Sequence, residues 1–244
     1  MFSGKIEDYI LFEDKEIIVC RKPAGIAVQN ARIGAMDLES SLKNYLAMQD
    51  GGGRRIPYLA VIHRLDQPVE GILVFGKTPE AAKSLSAQIT AGKMEKIYLA
   101  VTYGKQAEAG KKEKVLEDYL KKDGKSNTSS VVNAHTPGAK KARLSYEVLG
   151  EAVDAISGKK KWLLRIHLDT GRHHQIRVQF ASRGLGLYGD TKYNPKFQKT
   201  KKKYTEIGLY STRISFNHPV TGERMTFKIE PSGEAFEKMD VEAF

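Results

Sequence analysis

Residues 62–75 are Ile62-His63-Arg64-Leu65-Asp66-Gln67-Pro68-Val69-Glu70-Gly71-Ile72-Leu73-Val74-Phe75. In this stretch an arginine and a carboxylate, two positions apart, precede a Pro/Gly turn and a short apolar run. This pattern is typical of a site on a loop that a buried strand supports. Asp66 is therefore the candidate reactive group. A surface ion pair or a capping aspartate would produce the same pattern.

The composition predicts a soluble globular protein with one main domain. The chain has 244 residues, of which 41% are hydrophobic, so it can bury one substantial core and we predict a single domain over 1–244. No apolar stretch approaches the roughly 20 residues that cross a bilayer. Residues 1–10 lack the basic and apolar regions of a secretory signal. We expect a cytoplasmic protein that does not bind membranes.

The net charge indicates a class of partner, and the single cysteine excludes two kinds of site. A net charge of +11 favours polyanions, and nucleic acid is the first of these to consider, although a lysine-rich surface could simply keep the protein soluble. Cys20 is the one cysteine and follows the apolar residues Ile17–Val19. One cysteine excludes an intramolecular disulfide and a cysteine-cluster metal site. We expect Cys20 to be a buried small apolar residue.

The chain on both sides of the Asp66 stretch alternates strand patterns with a few helices. Asp37 and Thr78 can each cap a helix that carries an apolar stripe. Six or more strands with two or three helices, not in strict alternation, predict an α+β fold with a mixed, largely antiparallel central sheet flanked by helices and loops. The predicted strands are Ile10–Phe12, Ile17–Arg21, Leu59–Ile62, Ile72–Phe75, Glu95–Tyr103, Leu144–Val148, Trp162–Leu168, Leu209–Phe216 and Met225–Ile229.

Three further segments carry predictions about the site. In the strand Glu95–Tyr103, period two places Tyr98 on the face opposite Ile97 and Leu99, where it either faces solvent or points into a cleft. The polar composition of residues 105–141 predicts a basic, exposed insertion or hairpin rather than a domain. We predict a helix that Thr170 caps and Gly184 ends.

The motifs of several enzyme classes are absent. Gly51-Gly52-Gly53 does not continue as a phosphate loop, and His63-Arg64-Leu65-Asp66 is a scrambled kinase signature without its companion motifs. His167, His173 and His174 are not spaced as metal ligands, because neighbours on a helix point in different directions. An aspartate among cations remains, which nearby positive charge would keep ionised and which could act as a nucleophile or a base.

Four stretches together resemble the RluA family of pseudouridine synthases, in the order in which that family shows them. The likeness extends from about Ile10 to Ile229. Three departures lie at the rim of the motifs: Val69-Glu70 stands where Thr-Ser is usual, His173 where Thr or Ser is usual, and Gly186-Leu187 where His-Pro is common. The stretches are Arg21-Lys22-Pro23-Ala24-Gly25, His63-Arg64-Leu65-Asp66 with Gly71-Ile72-Leu73-Val74-Phe75, Lys96-Ile97-Tyr98-Leu99-Ala100-Val101, and Thr170-Gly171-Arg172-His173-His174-Gln175-Ile176-Arg177 with Gly189-Asp190 downstream.

The resemblance implies the isomerisation of uridine to pseudouridine within RNA, without a cofactor or a metal. The target base must leave its stack, which costs about a few kcal/mol, and Arg64 would fill or brace the vacated position. Asp66 would act on the ribose side of the glycosidic bond as a nucleophile or a base. Arg177 would pair with Asp66, and Tyr98 would lie against the uracil and help to remove its ring proton.

The resemblance also implies a structured RNA partner, ribosomal or transfer RNA, bound by a protein that we expect to be a monomer. Arg64, Arg172 and the loop Lys201-Lys202-Lys203 would contact this RNA, with further basic loops around Arg54 and Lys111 binding phosphates. Longer relatives carry a small RNA-binding domain before the catalytic one, and we expect this chain to lack it. Two alternatives remain: an RNA-binding or RNA-folding protein that kept the fold without catalysis, and a glycoside-type hydrolase that uses Asp66.

Overall fold

The computed structural model describes residues 3–30, 36–51, 56–103, 113–154, 157–199 and 206–241. Their contacts divide the chain into two compact units, Met1–Glu95 with Ser211–Ile229 and Lys96–Tyr210 with Glu230–Phe244. The single domain over 1–244 stays a prediction. No helix in the described ranges combines the length and the apolar character needed to cross a membrane.

The described residues form eleven strands and three α-helices, and every strand pair with an assigned register is antiparallel. The α+β fold class is therefore confirmed. The elements are β1 Ile10–Glu13, β2 Ile17–Lys22, α1 Leu38–Gln49, β3 Ala60–Val61, β4 Glu70–Gly76, α2 Pro79–Thr90, β5 Glu95–Tyr103, β6 Lys114–Asp123, β7 Thr128–Val132, β8 Lys140–Val153, β9 Lys160–Leu168, α3 Gln175–Ala181, β10 Leu209–Asn217 and β11 Arg224–Lys228.

The first unit is organised around the pair β2 and β4. These strands run antiparallel, with Lys22 opposite Gly71 at the end nearest the Asp66 loop, and β1, β3, β10 and β11 extend the sheet. Residues 17–20 are fully buried, because the strand is an unbroken apolar run that packs on both faces. Cys20 is buried and free, as predicted, and burial raises the pKa of its thiol.

Both predicted helices of the first unit are confirmed with their caps. The Asp37 carboxylate accepts the Ser40 backbone N–H at the start of α1, and the Thr78 hydroxyl accepts the Ala81 N–H at the start of α2. These bonds satisfy amide groups that have no partner inside the helix. Leu85 of α2 is fully buried in the core that β2 and β4 share.

The second unit is built on an antiparallel sheet of five strands in the order β5, β9, β8, β6, β7. The described part of the predicted insertion is the hairpin β6–β7, in which Tyr119 lies opposite Val132 and Asp123 opposite Thr128. Because β6 also pairs with β8, the hairpin continues the sheet instead of forming a separate layer. The hairpin alternative of the sequence prediction is confirmed for these residues.

The helix predicted from Thr170 exists but begins later, at Gln175. The Thr170 hydroxyl accepts the Arg143 backbone N–H and donates to the Gln175 side chain, so it is not available as a cap. His174 precedes the helix in the left-handed region, at φ 53°, which prevents regular helix on its N-terminal side. Gly184, at φ 73°, follows the end of the helix, as predicted.

Candidate active site

The Asp66 loop begins where a histidine side chain ends a strand. We predicted a strand over Leu59–Ile62, but only Ala60–Val61 pair with β4. The next ladder donor on β4, the Val74 N–H, bonds to the ring Nε2 of His63 instead, at 3.3 Å. This bond turns the chain away from the sheet and into the Arg64–Asp66 loop.

The loop presents Asp66 as a half-buried carboxylate beside an exposed Arg64, with Leu65 buried between them. The Val69 N–H donates to the Asp66 carbonyl at 3.0 Å, which closes the turn. Gly71 ends the turn at φ 138°, and a Cβ on it would collide with the backbone of Ser211. Only glycine fits there, so the sequence Pro68 to Gly71 fixes the path of the loop.

Lys22 anchors the other side of the loop, although sequence analysis gave it no role. Its side chain is fully buried, and its ammonium donates to the carbonyls of Pro23, Ile26 and Gln67 at 2.9, 2.7 and 3.0 Å. Burial lowers the pKa of Lys22 to about 7, against the opposing effect of the Glu70 and Asp66 carboxylates. Lys22 thus fixes the residue after Asp66 and places a positive charge near that carboxylate.

Glu70, one of the departures from the family pattern, has a partner of its own. The Arg21 Nε donates to the Glu70 carboxylate at 2.6 Å, and the Glu70 side chain is only 17% exposed. Arg21 belongs to the first family-like motif and Glu70 to the second. The unusual carboxylate is therefore accommodated by a cross-strand ion pair between β2 and β4.

Tyr98 lies on β5 of the second unit, opposite Ile166 of β9. It is 5% exposed, so the solvent-facing alternative is wrong. Every residue from Lys96 to Tyr103 is buried. Alternation along this strand therefore does not distinguish a solvent-exposed face from a buried one. The period-two argument assumed one solvated face, as in most antiparallel sheets.

Arg177 is held by the downstream motif that the sequence singled out. Its Nε and Nη2 donate to the two oxygens of Asp190 at 2.9 and 2.8 Å, and both side chains are buried. The Tyr193 ring lies 5.1 Å from the guanidinium. Gly189 precedes Asp190 at φ 71°, where a Cβ would overlap the carbonyl of Glu206, so Gly189-Asp190 is a tight turn that aims a carboxylate at Arg177.

Two stacked histidines at the start of α3 connect this helix to the β6–β7 hairpin. The rings of His173 and His174 lie 3.7 Å apart, and the His174 Nδ1 is 2.7 Å from the Tyr193 hydroxyl, which also accepts the Ser129 N–H. The Tyr193 hydroxyl therefore links the His174 ring to the Ser129 backbone. Burial, and then the charge of Arg177, lower the pKa of His174 far below its ordinary value, so the ring is neutral.

The predicted RNA-binding residues are only partly described. Arg64 and Arg172 are exposed, and the Nε of Arg172 donates to the Lys141 carbonyl at 2.8 Å. Lys201, Lys202 and Lys203 lie outside the described residues, as do the basic loops around Arg54 and Lys111. Among the described residues, no three His, Cys, Asp or Glu side chains are grouped as a metal site would require. Asp66 belongs to the first unit and Tyr98 and Arg177 to the second, so their union in one site stays a prediction.

Comparison with known families decides what this set of motifs belongs to. Residues 16–182 match the family model described as RNA pseudouridylate synthase. The chain belongs to this family. As a pseudouridine synthase it is an isomerase that acts on RNA, and the resemblance inferred from the four motifs is confirmed.

Individual relatives of this pseudouridine synthase agree with the family match. The chain is 30% identical to the ribosomal large subunit pseudouridine synthase D of Pseudomonas aeruginosa over 91% of its own length and 68% of that protein. It is 29% identical to the synthase D of Vibrio cholerae, over 89% and 65% of the two chains. The chain thus spans about two thirds of the length of these relatives.

Solved structures show the same fold at low sequence identity. The human RNA pseudouridylate synthase domain containing 4 superposes with a TM-score of 0.71 at 20% identity, over 95% of this chain and 92% of that one. The human domain containing 1 protein gives a TM-score of 0.72 at 19% identity, over 95% and 86%.

Proposed function

We propose that this pseudouridine synthase isomerises uridine in ribosomal or transfer RNA and that Asp66 is its catalytic carboxylate. The observation that supports this choice is the anchoring of the Asp66 loop. A fully buried lysine bonds to the carbonyl of Gln67, and a glycine with no room for a side chain ends the turn. Fixed carboxylates are needed where a sugar carbon develops positive charge, as in glycoside chemistry.

The proposed reaction exchanges one bond for another within a single nucleotide. The N1–C1′ bond of uridine breaks, the uracil turns, and a C5–C1′ bond forms, while C5 loses a proton and N1 gains one. Asp66 acts at C1′ or at the sugar, as nucleophile or base. Tyr98 lies against the uracil and assists the loss of the C5 proton. No cofactor, metal or redox partner is required.

Arg64 and Arg177 have supporting roles in this proposal. Arg64 is exposed at the tip of the loop, where a long cationic side chain can occupy the space that a flipped base leaves. Arg177 orients Asp66. A guanidinium has five N–H donors and Asp190 accepts from two of them, so the bond to Asp190 is compatible with a second carboxylate partner.

The biological setting is also part of the proposal. The relatives named above are called ribosomal large subunit synthases, which favours ribosomal RNA as the substrate. We propose a monomer that works in the cytoplasm, with Arg172 and Lys201-Lys202-Lys203 adding affinity through phosphate contacts.

Chemical mapping of pseudouridine in total RNA tests this function. Cells with and without the gene are compared, and the gene is then restored as the unaltered form, as Asp66→Asn, or as Asp50→Asn, which alters an exposed aspartate. We expect a defined set of sites to disappear and to return with the unaltered and Asp50→Asn proteins only. No change at any site on loss of the gene would favour the non-catalytic RNA-binding alternative.

A further inference from the structure

A groove in the second unit lies beside the β6–β7 hairpin and has no role in the chemistry described above. Its volume is about 300 Å³, at the lower end of ligand-binding pockets. Its lining combines four cationic side chains with two polar ones, namely Lys121, Lys122, Lys140, Arg172, Ser129 and His173.

The four cations differ from other cations of the second unit in having no carboxylate partner within the described residues. In the described part of the chain none of them forms an ion pair with a carboxylate, whereas Lys141 and Arg143 both pair with Glu117 and Arg183 pairs with Asp118. All four are exposed, and no acidic residue lines the groove. The positive charge of the groove is therefore directed to a partner outside the chain.

The polar side of the groove is ordered by bonds between the hairpin and the segment before α3. The His173 Nδ1 is 2.8 Å from the Ser129 hydroxyl and its Nε2 is 3.2 Å from the Asn127 side-chain oxygen. An amide oxygen only accepts, so the Nε2–H donates to Asn127, while the Nδ1 forms the hydrogen bond with the Ser129 hydroxyl. His173 stands where the family usually has Thr or Ser, and here it ties the hairpin to the helix.

We infer that this groove binds phosphodiester groups of the RNA substrate. The inference rests on the proposed function. Exposed lysines along an open groove suit a chain of phosphates, because they neutralise charge without reading bases. A discrete small anion would instead be held by buried, convergent donors.

The test is a comparison of two variants that lose the same charge. The groove variant carries Lys121→Gln, Lys122→Gln and Lys140→Gln, and the control carries Lys15→Gln, Lys83→Gln and Lys159→Gln, which are exposed lysines elsewhere. The probe is an unmodified large-subunit ribosomal RNA transcript, and its affinity is measured between about 50 and 200 mM salt. Equal thermal melting of all proteins confirms folding.

We expect the groove variant to bind at least about tenfold more weakly, with a slope of log affinity against log salt that is smaller by about two. Its KM for the RNA rises more than its kcat falls, and the control behaves like the unaltered protein. Equal losses of RNA affinity in the two variants would show that only the net charge of the protein matters, which would contradict the inference. So would displacement of the RNA by inorganic phosphate at constant ionic strength, which would assign the groove to a small anion.

Failure of the proposed function would be recognised separately. If the unaltered protein made no pseudouridine while its RNA affinity still depended on the three groove lysines, the proposed function would fail and the groove would stand. If Asp66→Asn abolished product but the groove variant bound RNA normally, the proposed function would stand and the groove inference would fail.

Discussion

At the scale of single residues, Lys22 shows how one buried charge can organise a reactive loop. Its ammonium bonds to carbonyls on both sides of the loop, including that of Gln67. The sequence offered Asp66 and Arg64 as candidates because charged residues beside a Pro/Gly turn are recognisable. It offered no reason to select Lys22, since lysine is rarely buried and its three acceptors are backbone groups that no side-chain pattern reveals.

The low pKa of Lys22 predicts a specific dependence of stability on pH. Its pKa falls from 10.5 to about 7 on folding. Between these pH values the Lys22 side chain is protonated in the unfolded chain but largely neutral in the folded one, so the free energy of unfolding increases as pH rises. Below about pH 7 Lys22 is protonated in both states, and the full cost of burying its charge is present. We expect the stability of the unaltered protein relative to Lys22→Met to increase with pH, by up to about 1.4 kcal/mol per unit.

Urea unfolding at several pH values between about 6.5 and 9.5 measures this difference. The comparison with Lys22→Met isolates the contribution of Lys22, because all other groups titrate in both proteins. A stability difference that does not change with pH would show that Lys22 has an ordinary pKa.

A second prediction concerns the ion pair of Arg177 and Asp190. Asp190→Asn removes a negative charge and one charge-assisted bond beside a buried guanidinium, so we expect a loss of about 1.5–3 kcal/mol in the free energy of unfolding. Asp169→Asn is the matched control, because Asp169 pairs with Arg143 at the surface and should cost about 0–1 kcal/mol. Urea denaturation compares them, and equal losses would contradict the account.

At the scale of elements, the strands and capped helices followed from pattern, and the start of the short helix α3 did not. Asp37 and Thr78 cap their helices as the sequence predicts, because the caps depend on residues close in the chain. The start of α3 depends instead on the hairpin, through the bonds of the two histidine rings with Ser129 and Tyr193. These two contacts join residues 44 and 19 positions apart in sequence, so they leave no local signal.

Tyr193 gives a prediction for this connection. Tyr193→Phe keeps the ring beside Arg177 but removes the hydroxyl that accepts the Ser129 N–H and forms a hydrogen bond with the His174 Nδ1. We expect a loss of about 1–3 kcal/mol and faster hydrogen exchange at the Ser129 amide. Tyr119→Phe is the control, because the Tyr119 hydroxyl makes no hydrogen bond within the described residues. Unchanged exchange at Ser129 would refute the connection.

At the scale of the whole molecule, the sequence predicted the α+β class and the family, because both rest on patterns spread over most of the chain. The order of the strands was not predictable, since pairing such as that of β5 with β9 joins segments about 60 residues apart. The division into two compact units was not predicted either. The net charge of +11 is a property of the sequence alone, and it predicts strong salt dependence in any RNA complex.

The basic segment Lys201-Lys202-Lys203 tests this electrostatic prediction. Replacing the three lysines by alanine should weaken RNA binding and lower the slope of log affinity against log salt by about two. Filter binding at several salt concentrations measures the slope, with the Lys15, Lys83 and Lys159 glutamine variant as the charge-matched control. A slope equal to that of the unaltered protein would show that these three lysines do not contact the RNA.

The most direct measurement of the central claim is the release of tritium from RNA labelled at C5 of uridine, because C5 must lose its hydrogen when it bonds to the sugar. The RNA is taken from cells that lack the gene. We predict steady release with the unaltered protein and with Asp50→Asn, and a decrease of at least about 100-fold with Asp66→Asn, while RNA affinity stays within a few fold. Full release by Asp66→Asn would contradict the assignment of Asp66 as the catalytic carboxylate.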